Sequence, residues 1–396
     1  MSEAWEVLAE DEPDADLAML AAQLGRMLFF EGKREQAAEM VERALELAEA
    51  LELPEVLSQA LNTKAIILGS AGRSAESHVL LRHALEIALE HGLSSATLRA
   101  YNNLSAGLSA TDQHVEALEV MDQAAVYARK VGDRGIEIVM RIAVVGDSVP
   151  LGRWDEALAA HADLRDEESS IIVWSEAVNL THVLVARGDL EEAERLLSLQ
   201  GDLSASEDLQ IRSIYLMNLA KLRAAQGRWR EALQAGAEAF GTGEGLGYRA
   251  LFVNEGLVEA IEAAFALGDA ERIETYLGWI QQRKPGELTP YLRAHGARSA
   301  ARWAALQGDA TAADGSFRAA TAAFRELPNP YWLARTLLDH GVWLHEQSRA
   351  DDAEPPLEEA RRIFTELRAD PWIERVDAHA EGARRQADSS REAARS

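Results

Sequence analysis

The chain has no cysteine among its 396 residues. That removes disulfides, thiolate metal sites and cysteine nucleophiles together, and it agrees with a reducing, cytoplasmic setting. Positive charge is also scarce: 40 basic residues stand against 66 acidic ones, for a formal net charge of −26. A field of that sign repels phosphate backbones and anionic lipid, so neither direct nucleic-acid binding nor a membrane surface is expected. Long apolar runs are missing, since no stretch approaches the roughly 18 uncharged apolar residues of a membrane span. The opening MSEAWEVLAEDEPD lacks the basic start and apolar centre of a signal peptide, and residues 1–13 read as an acidic extension. Yet 47% of the residues are hydrophobic, too many for a disordered acidic chain.

What is present is a repeat. Equivalent turn positions fall at Gly32, Gly72, Asp112, Gly152, Gly188, Gly227, Gly268, Gly308 and Ser348, with spacings of 40, 40, 40, 36, 39, 41, 40 and 40. Each unit reads as two helices around this marker, whose left-handed backbone closes the first helix. Acidic residues follow in the first turn of the second helix, where they complement the helix dipole. Small residues recur five after the marker (Ala37, Ser77, Ala117, Ala157, Ala193, Ala232, Ala313, Ala353, with Ile273 the exception). They recur seven before it in six units (Gly25, Ala65, Ser105, Ala220, Ala301, Gly341). Paired helices can therefore approach closely, and the larger apolar residues between fill the core. Pro54, Pro290 and Pro330 each lie 18 residues before a marker and suit a first helical turn. The expected organisation is nine units over residues 14–370, then a capping helix and polar tail over residues 371–396.

The turn glycine, the small residues around it and the helix-turn-helix unit resemble tetratricopeptide (TPR) repeats, with a period longer than the usual one of about 34 residues. The segments LPEVLSQALNTKAI, RHALEIALEHGL, RAYNNLS, GRWDEAL and PYWLARTLLDHGVWL are similar to the C-terminal TPR region of large actinobacterial signalling proteins. In those proteins a class III nucleotide cyclase or a DNA-binding domain accompanies a STAND-type ATPase, and MalT-like regulators share the arrangement. The resemblance implies an all-α fold, a TPR-like α-solenoid wound as a right-handed superhelix of about nine helix-turn-helix units with a C-terminal capping helix. It implies a non-catalytic scaffold or sensor region of a bacterial signal-transduction or transcription-regulatory protein, without cofactor. The partner would be a protein or peptide; the other reading is a small effector that regulates a linked ATPase, cyclase or DNA-binding domain. This chain itself carries neither a phosphate-binding loop nor cyclase residues.

Catalytic patterns are weak. His78 and His83 are five apart, as are His340 and His345, whereas helical metal pairs want spacings of three or four, so no metal site is expected. The run Gly241-Thr242-Gly243-Glu244-Gly245-Leu246-Gly247 lacks the Lys and Ser/Thr of a phosphate loop and reads as a linker. Trp154 and Trp229, each two after a marker, and Trp303 and Trp343, 40 apart, read as packing residues.

The informative surface is the one that the first helices would line. Four positions per unit, at −6, −3, +1 and +4 from the small residue seven before the marker, face a ligand groove in TPR superhelices. Of these positions six hold Arg or Lys (Arg26, Arg99, Lys221, Arg298, Arg302, Arg335) and two hold Glu (Glu255, Glu262), a basic bias inside an acidic protein. Asn62 and Asn102 occupy −3, while Asn103, Asn179 and Asn218 occupy −2. The asparagines resemble the incomplete version of an asparagine ladder such as that of kinesin light chains, and amide side chains can pair with both donor and acceptor of an extended backbone. An acidic peptide segment is the expected ligand, with Arg298, Arg302 and Arg335 as its densest basic cluster; the other reading of that cluster is an internal ion pair with Asp339, four after Arg335 on the same helix.

Overall fold

The computed structural model describes residues 13–164 and 170–393. No strand occurs among them. The helices pair as hairpins: α1 (Ala15–Phe30) with α2 (Arg34–Ala50), α3 (Pro54–Ser70) with α4 (Ser74–Glu90), and α5 (Ser94–Ser109) with α6 (His114–Val131). Then come α7 (Arg134–Ser148), α8 (Trp154–Ala162), α9 (Ser170–Arg187), α10 (Leu190–Leu199), α11 (Leu209–Ala225), α12 (Trp229–Gly241) and the single turn α13 (Gly243–Leu246). The last hairpins are α14 (Leu251–Leu267) with α15 (Ala270–Gln281), α16 (Pro290–Leu306) with α17 (Ala310–Glu326), and α18 (Pro330–Glu346) with α19 (Ala350–Leu367). Helix α20 (Asp370–Ala393) closes the series. The architecture is therefore the all-α, TPR-like solenoid of helix hairpins that the repeat predicts.

All nine markers have positive φ, from 60° at Ser348 to 89° at Gly188, and each lies in the turn between the two helices of a hairpin. The residue that follows is the N-cap of the second helix: Asp189, Asp269 and Asp309 each accept a backbone N–H three residues on. The alanines five after the marker have no exposed surface, and a Cβ on Gly25 would stand 2.8 Å from Val41 Cγ2, so the small residues do set helix approach. Pro54, Pro290 and Pro330 occupy the first turns of α3, α16 and α18. Two second helices in the middle, α8 and α10, are short, at 9 and 10 residues; residues 165–169, which follow α8, lie outside the described residues.

The chain divides into two compact units, residues 1–144 and 145–396. In the first, consecutive first helices also touch, α1 with α3 and α3 with α5, which makes them its inner row. In the second, the inner row is α9, α11, α14, α16, α18 and α20, each touching the next. Here α20 returns to touch α9, so the row closes on itself. The closure is specific. A Cβ on Gly152 would stand 2.5 Å from Pro330 Cγ, and one on Gly188 would stand 2.8 Å from Pro371 Cγ. Arg187 Nε donates to the Leu367 carbonyl at 3.1 Å, and the rings of Trp154 and Tyr331 lie 5.7 Å apart. Trp154 itself is fully buried and donates to the Val149 carbonyl, a packing residue as expected. The glycine-rich run also packs. A Cβ on Gly243 would strike Tyr248, and one on Gly245 would strike Leu209, each at 2.5 Å.

Candidate functional site

The inner face of the first unit is a polar ribbon across three helices. Arg99 on α5 donates from Nη1 to Gln59 Oε1 on α3 at 3.2 Å, and Gln59 donates in turn to Glu55. Asn103 on α5 donates from Nδ2 to Asn62 Oδ1 on α3 at 2.6 Å, and Asn102 donates to Asn103 Oδ1 at 3.4 Å. Arg26 on α1 is exposed, with its guanidinium 5.6 Å from the centre of the exposed Phe30 ring. Burial, followed by the like charge of Arg26, pushes the Arg99 pKa down against the pull of Glu55. Five predicted residues (Arg26, Asn62, Arg99, Asn102 and Asn103) therefore come together on one face. One correction applies: Asn62 is buried, so it braces Asn103 rather than meeting a ligand.

The second unit brings its predicted residues together differently. Glu262 on α14 accepts from three arginines: Arg298 Nη1 at 2.6 Å, Arg302 Nη1 at 2.7 Å and Arg335 Nη2 at 2.5 Å. Arg298 also meets Asp339 at 2.6 Å, and Lys221 on α11 is ion-paired with Glu255. Arg298 is 1% exposed and Lys221 7%. Burial alone would raise the Glu262 pKa, but Arg298, Arg302 and Arg335 outweigh it and hold the carboxyl well below its ordinary range. Burial likewise opposes the charge on Arg298, and Asp339 with Glu262 more than restores it. The expectation of a basic groove open to an acidic peptide is corrected here, and the alternative of an internal pair with Asp339 holds, with Arg298 rather than Arg335 making the close contact. The inner row closes over these side chains, and the carboxylates on α14 neutralise them from within. Asn218 is buried and donates to the Ile214 carbonyl, and Asn179 stands against α7, where a Cβ on Gly146 would lie 3.2 Å from its Oδ1. Both serve the helix row rather than an open groove.

Sequence reasoning passed over Glu259, which occupies the same −2 position as Asn103, Asn179 and Asn218 and therefore also faces inward. It is 7% exposed, and burial raises its pKa to about 7. Glu255, Glu259 and Glu262 recur at helical spacing along the inner face of α14, and that spacing was the available signal. No group of three or more His, Asp or Glu side chains suited to a metal ion occurs among the described residues. No described helix is long and apolar enough to cross a membrane.

No protein-family model and no curated protein matches the chain. Among solved structures it is similar to the apo form of the quorum sensor NprR from B. thuringiensis, with 12% identity over 92% of each chain and a TM-score of 0.45. It is also similar to the APC/C hetero-tetramer Cut9-Hcn1, with 12% identity over 95% of this chain and 80% of that one and a TM-score of 0.43.

Proposed function

We propose that the protein is a non-catalytic interaction scaffold whose first unit docks an extended, acidic segment of a partner protein on the inner face of α1, α3 and α5. The observation that carries this reading is the ribbon itself. Two arginines share one face with no described carboxylate in ion-pair contact, and side-chain amides at successive hairpins lie along it. Amides spaced from hairpin to hairpin can bond alternate backbone groups of an extended chain, and the arginines can take carboxylates in bidentate fashion. The setting consistent with the sequence resemblance is bacterial signal transduction or transcription regulation, in the cytoplasm.

The test is selection of a random peptide library on the full chain, followed by titration of the resynthesised binders. Selected peptides should be rich in Asp and Glu, and the Arg26→Gln, Arg99→Gln double variant should weaken them by at least about tenfold, with the wild-type affinity falling as salt rises. Peptides without acidic enrichment, or full affinity in the double variant, would sink the reading.

A further inference from the structure

Two clefts occupy the same place in the repeat, between the second helices of neighbouring hairpins, and they are built differently. One lies between α17 and α19 over α18, with a volume of about 390 Å³. Asp314, six after its marker, stands in it and meets His340 Nε2 at 3.1 Å, Arg318 at 2.8 Å and Arg349 at 3.5 Å. The other lies between α2 and α4 over α3 and measures about 790 Å³. Here the position six after the marker is Ala38, and Val41, Ile67, Leu68, Val79 and Leu80 line the cleft with it. The charged network of the first cleft has no counterpart in the second, because a methyl group replaces its central carboxylate. Val79 also departs from the pattern of its position. Seven after the marker, other units place Glu39, Glu119, Arg195, Gln234 or Thr275, as suits a solvated outer face. Val79 is 66% exposed. A branched apolar side chain left in water on the wall of an apolar cleft marks a contact surface.

The walls decide the occupant. Mid-helix backbone groups of α2, α3 and α4 are bonded within their own helices, so an extended strand finds no main-chain partner there. A helix arrives with its own hydrogen bonds made and offers only side chains, and its ridge fits the groove between two others. Charge completes the description. Helix α2 carries Glu35, Glu39, Glu42, Glu46 and Glu49, and α4 carries Glu76, Glu86 and Glu90. Against these eight stand five cations: Arg34, Arg43 and Arg82 on the two helices, and Lys64 and Arg73 in the cleft lining. Lys64 pairs with Glu42, Arg43 with Glu46 and Arg73 with Glu76, while Arg82 pairs with Glu116 on α6. Glu35, Glu49 and Glu90 are exposed and make no ion pair among the described residues. We propose that this cleft docks an amphipathic helix of a partner protein, apolar along the ridge that enters the cleft and rich in Lys and Arg on its flanks. A second copy of the chain suits the cleft poorly, since it brings a formal charge of −26 to acidic walls. The cleft belongs to the outer row of helices and does not depend on the reading of the inner face of α1, α3 and α5. The two faces of the first unit thereby take segments of opposite charge.

The experiment selects displayed helical peptides as long as α4, 17 residues, on the full chain, with counter-selection on Val79→Lys. Enriched sequences should carry apolar residues along one ridge and Lys or Arg beside it. In fluorescence anisotropy with the resynthesised peptides, Val79→Lys should reduce affinity at least about tenfold. Its melting temperature should match the wild type, because the side chain is already exposed. The Glu35→Lys, Glu49→Lys, Glu90→Lys variant should weaken binding to a similar degree, and added salt should weaken the wild type. Arg26→Gln with Arg99→Gln should leave helix binding unchanged, which separates this cleft from the inner face. The proposal is overturned if no peptide distinguishes the wild type from Val79→Lys, or if the enriched flanks are acidic or uncharged. It is overturned too if the chain self-associates in sedimentation and Val79→Lys abolishes this, which makes a second copy the occupant.

Discussion

The same positional code yields an open face in one unit and a closed interior in the other. In residues 13–144 the inner positions hold Arg26, Gln59, Asn62, Arg99 and Asn103, bonded laterally as Arg99 to Gln59 and Asn103 to Asn62, and no described carboxylate pairs with the two arginines. In residues 145–396 equivalent positions hold Lys221, Glu255, Glu262, Arg298, Arg302 and Arg335, and they satisfy one another across the circle. The difference comes from the carboxylates on α14 and from the aromatic and proline contacts that bring α18 and α20 back to the start of the row. Charge at an inner position signals a ligand only when no inner position elsewhere carries its counter-charge.

The largest test of that contrast is Glu262→Ala. It leaves three arginines without their shared acceptor, and breaking a buried pair in this way costs about 3–5 kcal/mol. Hydrogen exchange should show protection lost from α14, α16 and α18 while α1, α3 and α5 keep theirs. Loss of less than about 1 kcal/mol would mean that the network is wet and exchangeable, more like the first unit than described.

Next in size is the pH dependence of Glu259. Its folded pKa is raised, to about 7 from an ordinary 4.5. Between those values the folded state holds a proton that the unfolded state has released, so stability falls as pH rises through this window and levels off above it. The groups facing it are Lys221 from α11, Glu255 and Glu262 on its own helix, and Arg335 from α18. The loss amounts to about 3 kcal/mol for a shift of this size. Denaturation of wild type and Glu259→Gln at pH 5 and pH 8 should show the slope in the former and its absence in the latter. A wild type equally stable at both pH values would place Glu259 in open solvent.

Much of this was legible beforehand, and the limits have physical causes. The period, the marker turns and the small residues could be read because each is enforced locally, by backbone handedness or by helix contact within a hairpin. The joints between hairpins were half hidden. Glu52 and Arg368 take positive φ 20 residues after their markers, as Gly92 and Gly132 do, but Glu and Arg do not advertise that conformation. Closure of the second unit was not legible at all. It depends on Gly152 meeting Pro330 and on Trp154 meeting Tyr331, contacts between residues more than 170 positions apart that no repeat encodes. Hence the inner positions were identified correctly as a row, whereas their accessibility was not.

That closure separates two otherwise equivalent glycines. Gly72 and Gly152 are both markers with positive φ, at 83° and 73°. A Cβ on Gly72 meets nothing within 4 Å, whereas one on Gly152 would strike Pro330 at 2.5 Å and Leu367 at 3.0 Å. Gly72→Ala should therefore cost only the left-handed penalty of about 1 kcal/mol. Gly152→Ala should add overpacking to it and cost about 2–4 kcal/mol in total. Equal losses on chemical denaturation would show that the second unit is not held shut at this point.

The smallest effect concerns the face read as the docking surface. Arg99→Gln removes a charge that folding disfavours, since burial and then Arg26 push its pKa down. What it gives up is the bond to Gln59, worth about 1 kcal/mol net, and the relief of repulsion offsets part of that. The stability change should therefore stay under about 1 kcal/mol in either direction. Arg298→Gln is the matched control in the second unit. There Glu262 and Asp339 lose a buried partner, and the cost should be about 3 kcal/mol or more. A residue that does little for the fold yet occupies an inner position is what a binding face requires, and equilibrium unfolding of the two variants side by side measures that difference directly. If Arg99→Gln proves as damaging as Arg298→Gln, Arg99 is a structural residue, and the docking face narrows to Arg26 and the amides of α5.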